Sequence, residues 1–267
     1  MNTFDYYAAY YDLLYKDKDY AGEVDYLYAL INKYSPRATH ILNLGCGTGK
    51  HDFLLAEKGF HVDGVDFSEK MIAKANQNKL VYKTNNNFYQ GDIRNIRLNQ
   101  TFDIVSSLFH VINYQITNQD LLATFETAKA HLKPKGFFVF DSWYGPGVLT
   151  DKPERRIKEI EDERISVLRL AEPVLHYNQN IVDVNYTLLI KDKNQQSSHN
   201  VQEQHRMRYL FYPEIELLAQ LNGFKVVGFE KWLSLGTPPH LDWFVMVVCQ
   251  LMSTNELPIP KPTAPAF

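Results

Sequence analysis

The chain has 267 residues, of which 45% are hydrophobic, and its formal net charge is -3. The hydrophobic fraction suffices for the core of one large domain, or of one domain with an insertion. The small negative charge, without a long run of Lys or Arg, disfavours nucleic acid as a partner, and no apolar stretch approaches the roughly 20 residues of a membrane span. With an acidic, tyrosine-rich start and two distant cysteines, Cys46 and Cys249, we expect a cytoplasmic protein with free thiols.

The first 38 residues predict two helices. Apolar residues recur at helical spacing from Tyr20 to Ile31, and Ser35 and Pro36 end the second helix. The tyrosines of residues 1–38 indicate that these helices form a lid that covers a pocket.

From residue 39 to 142, short apolar runs alternate with longer segments of helical periodicity, the pattern of a doubly wound α/β fold. Strands are predicted at residues 39–44, 61–66, 86–90, 102–107 and 136–142. A clear helix precedes the last of them and ends at Pro134, Lys135 and Gly136.

After residue 142 the pattern changes to a period of two, typical of half-buried antiparallel strands. Such runs occupy roughly residues 163–170, 182–190 and 200–211 and predict a small inserted sheet, residues 143–211, that covers the active site. A helix opened by Pro213 and strands at 224–233 and 241–251 then complete a seven-stranded, mostly parallel Rossmann-like sheet. The predicted core domain thus comprises residues 39–142 and 212–252, and residues 253–267 form a proline-rich tail.

Gly45, Gly47 and Gly49 follow an apolar strand and precede a helix, so that backbone can approach a ligand closely. Dinucleotide sites favour GxGxxG, whereas this loop reads GxGxG with Lys50 at the last position of that pattern. The spacing therefore disfavours NAD. A tight turn without a ligand is the alternative interpretation of the loop taken alone.

Acidic residues end the next two strands. Asp66 lies about 20 residues beyond the loop, where a carboxylate can accept both hydrogen bonds of a ribose diol, although it also resembles a helix cap. Asp92 is placed to accept from an adenine amino group, with Ile93 and Met71 flanking the ring. Together they favour an adenosine cofactor.

Five segments in residues 39–143, namely ILNLGCGTGKH, VDGVDFSEKMIAKA, QGDIRNI, FDIVSSLFHVINY and HLKPKGFFVFDSW, resemble the class I S-adenosylmethionine (SAM) dependent methyltransferases in order and spacing. The resemblance implies that SAM is the methyl donor and S-adenosylhomocysteine the product. The cofactor-binding residues that it implies in this core are Gly45, Cys46, Gly47, Thr48, Gly49, Asp66, Phe67, Met71, Gly91, Asp92, Ile93 and Leu108. Cys46 is expected to contribute mainly its main chain.

A closer resemblance extends outside this core. The segment YDLLYKDKDYAGEVDYL, residues 11–27, together with the inserted sheet, is similar to the N,N-dimethyltransferases that act on amino groups of nucleotide-linked deoxysugars. It implies a tyrosine-rich helix folded over SAM, with Tyr11 and Tyr15 as cofactor-binding residues. The predicted activity is methyl transfer to a heteroatom of a small molecule, with amine nitrogen favoured. A small-molecule O-methyltransferase and a non-catalytic SAM-binding module are the alternatives.

Three residues are candidates for proton transfer. His110 follows the fourth strand, at the sheet edge where doubly wound folds bind ligands, although a packed histidine is the rival interpretation. Glu203 and His205 alternate onto the apolar face of their strand and therefore need partners, either each other or the acceptor.

The predicted substrate-binding residues are Phe109, Tyr114, Asp141, Trp143 and Tyr144. Arg206 and Arg208 share the other face of the last inserted strand, which favours solvent over a substrate diphosphate. No ligand spacing for a metal is present. A small-molecule acceptor is the expected partner, and the oligomeric state stays open, a homodimer included.

Overall fold

A sheet of seven strands forms the centre of the computed structural model, which describes residues 13–194 and 197–253. The strands are β1 His40–Leu44, β2 His61–Asp66, β3 Phe88–Gln90, β4 Phe102–Ser107, β5 Leu132–Trp143, β10 Phe224–Lys231 and β11 Phe244–Leu251. Their spatial order is β10-β11-β5-β4-β1-β2-β3, and all neighbours are parallel except those of β11, which runs antiparallel to β5 and β10. The predicted doubly wound α/β fold is confirmed.

The helices cover both faces of this sheet, because successive strand residues point to opposite sides. The helices are α1 Tyr20–Tyr34, α2 Lys50–Glu57, α3 Glu69–Tyr82, α4 Asn118–Ala130, α5 Gly145–Thr150 and α6 Tyr212–Leu221, with 3-10 turns at Val111–Tyr114 and Tyr177–Gln179. On β5, Phe138 and Phe140 pack with residues of α4 and α6, whereas Phe137 and Val139 pack with residues of α1. Parallel strands buried on both faces explain the continuous apolar runs of the sequence.

A second sheet of four antiparallel strands lies between β5 and α6 in the chain. Its strands, in spatial order, are β6 Arg156–Glu161, β7 Ile165–His176, β8 Ile181–Asp192 and β9 Ser197–Arg208. The sequence pattern did not predict β6, whose residues RIKEIE are mostly charged, as is common for an edge strand. It also placed the start of β5 too late, because β5 continues through Pro134 and Gly136.

The N-terminal segment is anchored on this second sheet. Leu13 and Leu14 are buried against Val167, Leu188 and Val201. Lys158 donates from Nζ to the Leu14 carbonyl oxygen at 2.8 Å. The start of the predicted first helix lies outside the described residues.

Both cysteines are buried and free. Within residues 13–194 and 197–253, no helix combines the length and the hydrophobicity needed to cross a lipid bilayer.

Candidate active site

A cavity of about 690 Å³ lies at the carboxyl ends of β1, β2 and β4, the edge at which open α/β sheets bind ligands. The residues that follow these three strands line one half of it, and β9 of the second sheet lines the other half. A volume in this range can enclose most of a drug-sized ligand. The cavity therefore has room for more than a single small group.

The glycine loop forms the floor of the first half. Gly45, Gly47 and Gly49 all have positive φ angles, of 87°, 55° and 80°. A Cβ on Gly45 would come within 2.5 Å of the Val111 side chain, whereas a Cβ on Gly47 would meet nothing within 4 Å. Gly47 thus presents bare backbone to open space, a cradle that a ligand can fill. Gly49 does not line the cavity, since its Cβ would meet Phe53 and Phe88.

Asp66 fastens the loop to the end of β2. Its Oδ2 accepts from the Gly47 backbone N–H at 2.8 Å, and its Oδ1 accepts from the Ser68 N–H at 2.9 Å. Burial raises the pKa of the Asp66 carboxyl. The helix cap that was its rival role belongs to Ser68, which accepts from the Met71 N–H and precedes α3.

Phe67 and Met71 complete this end of the cavity. The Phe67 side chain is 73% exposed although it lines the cavity, and the nearby Met71 is buried. An exposed ring beside a carboxylate at a strand end suits an adenosine group, with the carboxylate toward the ribose hydroxyls. Cys46 and Thr48 also line the cavity, and burial raises the pKa of the Cys46 thiol, which keeps it neutral. These residues fit SAM.

The structure does not bring Gly91, Asp92 and Ile93 to the cavity. Asp92 instead accepts hydrogen bonds from Arg94, which holds the pKa of the Asp92 carboxyl below its ordinary value. Ile93 is buried in the core, and a Cβ on Gly91 would meet Ile96 at 2.3 Å. The Asp92 carboxylate, which the sequence directed to adenine, thus pairs with Arg94 two residues away.

Tyr15 lines the cavity between its two halves. Its ring packs edge-on against Phe109 with centroids 5.1 Å apart, and Phe109 and Leu108 follow β4 at the same level. Burial raises the pKa of the Tyr15 hydroxyl, so it stays protonated. Tyr11 lies outside the described residues.

In the second half of the cavity, hydrogen bonds connect three polar side chains from two separate elements. The Tyr114 hydroxyl lies 2.7 Å from His205 Nδ1, and His205 Nε2 lies 3.3 Å from Glu203 Oε2. The three residues line the cavity, and the side chains of Glu203 and His205 are only 9% and 16% exposed. Burial raises the pKa of the Tyr114 hydroxyl, which therefore keeps its proton. His205 Nδ1 can either accept a hydrogen bond from this hydroxyl or donate one to its oxygen.

His110 lies beside the cavity rather than in its wall. Its ring stacks on Phe244 at 4.6 Å, and Nδ1 lies 2.6 Å from Asp141 Oδ2. The fully buried Asp141 also accepts from the His110 backbone N–H at 3.0 Å. Phe109 and His110 both have φ near 64°, a left-handed conformation uncommon for residues with a side chain, and such strain often occurs at functional sites.

The remaining predicted substrate residues divide between the cavity and the core. Phe109 and Tyr114 line the cavity, whereas Asp141, Trp143 and Tyr144 do not. Trp143 packs on Trp243, and Tyr144 packs edge-on against Phe229. Asp141 is a fully buried strand residue that pairs with His110, and Trp143 ends β5 half-buried against Trp243.

Several cavity residues were missed by sequence reasoning. They come from the start of α1, the start of α2, the segment after β4 and the outer strand β9: Tyr20, Lys50, His51, Val111, Ile116, Gln202, Gln204 and Arg206. His51 had a usable signal, since it follows the glycine loop by two residues. Residues on both faces of β9 line the cavity because β9 is an edge strand.

Several known proteins that are similar to this chain are methyltransferases. The family described as a methyltransferase domain matches residues 41–136. A dTDP-3-amino-3,4,6-trideoxy-alpha-D-glucopyranose N,N-dimethyltransferase of Streptomyces venezuelae is 30% identical over 184 residues, which cover 68% of this chain and 76% of that protein. A dTDP-3-amino-3,6-dideoxy-alpha-D-glucopyranose N,N-dimethyltransferase of Streptomyces fradiae is 33% identical over 141 residues, 52% of this chain and 54% of that protein.

Among solved structures, a SAM-dependent methyltransferase from Clostridium acetobutylicum has the same fold. Its TM-score is 0.80 at 21% identity, with 94% of this chain and 100% of that chain covered. The glycine loop, Asp66 and the relatives agree on the methyl donor. The chain therefore belongs to the SAM-dependent methyltransferases and is related to their amino-sugar N,N-dimethyltransferases.

Proposed function

We propose that this methyltransferase acts on an amine nitrogen of a nucleotide-linked amino sugar. The observation that carries the proposal is that one cavity joins the SAM-binding loop to a buried carboxylate and histidine, Glu203 and His205. The acceptors named for the Streptomyces relatives are dTDP-linked amino sugars, which supports the same class here. Lys50 and Arg206 are cations among the residues that line the cavity and could meet a phosphate, and Arg206 also pairs with Asp183.

The protein's main contribution to such a reaction is positioning. Bound SAM supplies an electrophilic methyl group, and holding two reactants in attack geometry can lower a barrier by roughly 7 to 11 kcal/mol. Tyr15 and Phe109 lie between the two halves of the cavity, where they can orient the acceptor and exclude water. Proton transfer is the smaller effect, at roughly 3 to 5.5 kcal/mol.

Proton handling still decides whether the acceptor is reactive, because an ammonium has no lone pair. We assign Glu203 to hold the acceptor as an ammonium and His205 Nε2, beside Glu203, to take its proton, in the tautomer whose Nδ1–H donates to the Tyr114 hydroxyl oxygen. His110 is the second candidate, held by Asp141 next to Phe109.

The same geometry supports a division of labour along the chain. We assign the donor site to residues 39–142 and 212–252, and the cover of the acceptor site to residues 143–211, because β9 lines the cavity. The lid role of residues 1–38 is supported by Tyr15 and Tyr20 in the cavity wall and by the packing of Leu13 and Leu14 on the second sheet.

The test is transfer of labelled methyl groups from SAM to a panel of amino sugars, their dTDP and UDP derivatives, and the matching hydroxy sugars. We expect transfer to at least one amine and none to the hydroxy analogue of that acceptor. Transfer to the hydroxyl compound alone would refute the amine assignment. Binding of SAM without transfer to any compound would favour a non-catalytic role.

Two variants distinguish the histidines. With an active acceptor, His205→Gln should lower kcat by about a hundredfold and remove the limb of the pH profile that reports a base, since a positioned base contributes a factor of about 100 to 10,000. His110→Gln tests the second candidate in the same assay. If His205→Gln kept the wild-type rate and pH profile while His110→Gln lost them, the base would be His110.

A further inference from the structure

Strand β9 borders the cavity along its free edge. It is an outer strand of the second sheet, and its neighbour in that sheet is β8. Residues 202–206 of β9 line the cavity without interruption, although successive side chains of a strand point to opposite faces of the sheet. A strand that presents both faces to one cavity meets it edge-on, so the main chain of β9 lies in the cavity wall together with its side chains.

The hydrogen bonds at the end of β9 show which main-chain groups point to this edge. In an antiparallel strand, the N–H and C=O of one residue point to the same side, and those of the next residue point to the other side. The Tyr209 N–H donates to the Asn180 carbonyl oxygen, on the β8 side, at 2.8 Å. The Arg208 carbonyl oxygen accepts from Asn113 Nδ2, on the opposite side. Because the register between β8 and β9 has no shift, the N–H and C=O groups of all even-numbered residues of β9 point away from β8.

Three of these even-numbered residues line the cavity, namely Gln202, Gln204 and Arg206. Within residues 13–194 and 197–253, their main-chain N–H groups have no hydrogen-bond acceptor in another element. Alternate residues of an extended chain are about 6.6 to 6.8 Å apart, twice the rise per residue. A row of unpaired donors and acceptors with this spacing is the complement of another extended peptide.

The side chains beside this edge are those that an N-terminal amine requires. Glu203 lies between two of the edge residues, and its side chain, only 9% exposed, lines the cavity. A carboxylate in that place attracts the positive charge of a peptide N-terminus. His205 Nε2 lies 3.3 Å from Glu203 Oε2 and can accept a proton. The edge therefore offers hydrogen bonds to a peptide main chain, and the two side chains offer a counter-charge and a base to its terminal amine.

We propose a second class of acceptor for this enzyme, the N-terminal amine of a peptide that binds as an added strand along the free edge of β9. The terminal ammonium gives a proton to His205, and the nitrogen lone pair then bonds to the methyl carbon of SAM while the carbon–sulfur bond breaks and its electron pair stays on sulfur. The products are the N-methylated peptide, S-adenosylhomocysteine and one proton, which His205 passes to solvent. The reaction uses the same side chains as the proposed function but does not require a sugar nucleotide.

The test uses the tetrapeptide Ala-Val-Ala-Val amide and an analogue whose internal amide nitrogens are methylated and cannot donate. Mass spectrometry follows transfer of labelled methyl groups from SAM, and calorimetry measures binding of each peptide to the protein saturated with S-adenosylhomocysteine. We expect methylation of the N-terminal nitrogen of the tetrapeptide. We also expect the analogue to bind about two- to tenfold more weakly for each hydrogen bond that it loses.

Proline substitutions isolate the main chain of β9. Gln204→Pro removes an N–H that points away from β8, a position at which an edge strand tolerates proline, whereas Gln204→Ala removes the same side chain and keeps the N–H. Gln204→Pro should bind the tetrapeptide about two- to tenfold more weakly than Gln204→Ala does. Asn200→Pro is the matched control and should bind it like the wild type, because its N–H also points away from β8 but Asn200 does not line the cavity. Wild-type affinity for S-adenosylhomocysteine verifies the fold of each variant, and Gln202→Pro replaces Gln204→Pro if that variant lacks it.

Absence of methyl transfer to the tetrapeptide would overturn the proposal, and transfer to an amino sugar by the same protein would leave the proposed function intact. Equal binding of the two peptides, or equal binding of the tetrapeptide by Gln204→Pro and Gln204→Ala, would show that the edge of β9 does not hold the acceptor and would overturn it as well. Transfer to the tetrapeptide but to no amino sugar would support the peptide activity and refute the sugar-nucleotide acceptor.

Discussion

Replacement of Asp52 by Asn should change the pH dependence of stability. Asp52 is fully buried in the first turn of α2, where its Oδ1 accepts from Asn43 Nδ2 at 2.6 Å. Its Oδ2 has no hydrogen-bond partner within the described residues. Burial, with the nearby charges of Asp63 and Asp66, raises the pKa of Asp52 from 3.8 to about 8. The N-terminus of the helix favours the charged carboxylate by about 0.3 to 2 kcal/mol, which is weaker than the effect of burial.

The sign follows from the raised pKa. Below about pH 3.8 the carboxyl is protonated in the folded and unfolded chain, and its contribution to stability is fully present. As the pH rises toward 8 the unfolded chain loses this proton and the folded protein keeps it, so stability falls by about 1.4 kcal/mol per pH unit. Between about pH 5 and pH 8 the loss amounts to about 4 kcal/mol, which an amide at this position does not suffer.

Urea unfolding at several pH values between about 5 and 8 measures the effect. The free energy of unfolding of Asp52→Asn, relative to wild type, should rise steadily over this range. Glu57→Gln is the matched control, since it removes an exposed carboxylate from the same helix and should give a difference that does not grow with pH. A difference between Asp52→Asn and wild type that stays constant with pH would refute the reasoning.

Four further changes test the donor site, the acceptor site and the core. Asp66→Asn should weaken binding of S-adenosylhomocysteine by about ten- to a hundredfold in calorimetry, and unchanged affinity would contradict a ribose contact. Gly45→Ala should lower the free energy of unfolding, measured in urea, by about 1 to 3 kcal/mol, because Gly45 has a positive φ and a Cβ there would meet Val111. A variant as stable as the wild type would show that the loop can shift. Glu203→Gln should raise the KM of an amine acceptor more than that of SAM in steady-state kinetics, and equal effects would argue against an ammonium subsite. Phe125→Ala should lower the free energy of unfolding by about 3 to 5 kcal/mol in the same assay, since the ring is fully buried between β5 and β10. A decrease below about 1 kcal/mol would place the ring outside the core.

The two ends of the cavity differ in how far the sequence predicted them. At one end, the glycine loop and the position of Asp66 at the end of β2 were predicted from short-range patterns, because a strand, a turn with positive φ and a helix start are encoded by neighbouring residues. Asp92 matched the same kind of pattern but is paired with Arg94. A motif places the backbone, and the competing partners of a side chain decide its role.

At the acceptor end, period-two alternation indicated that Glu203 and His205 share a covered face, and the structure makes them neighbours of Tyr114. That contact joins residues 91 positions apart in the chain. Nothing local in the sequence specifies it, since it depends on how the second sheet lies over the first. The same holds for His110, whose place beside the cavity is set by a buried Asp141 on a neighbouring strand.

The sequence by itself determined the alternation of strands and helices and the glycine loop, because these features follow from residue spacing along the chain. The order and spacing of five segments in residues 39–143 indicated the methyl donor. Only the tertiary structure decided which polar groups face the cavity and which are neutralised elsewhere. Glu23 and His51 illustrate the reason. Their pairing depends on the approach of α1 and α2, and both side chains are buried in that contact.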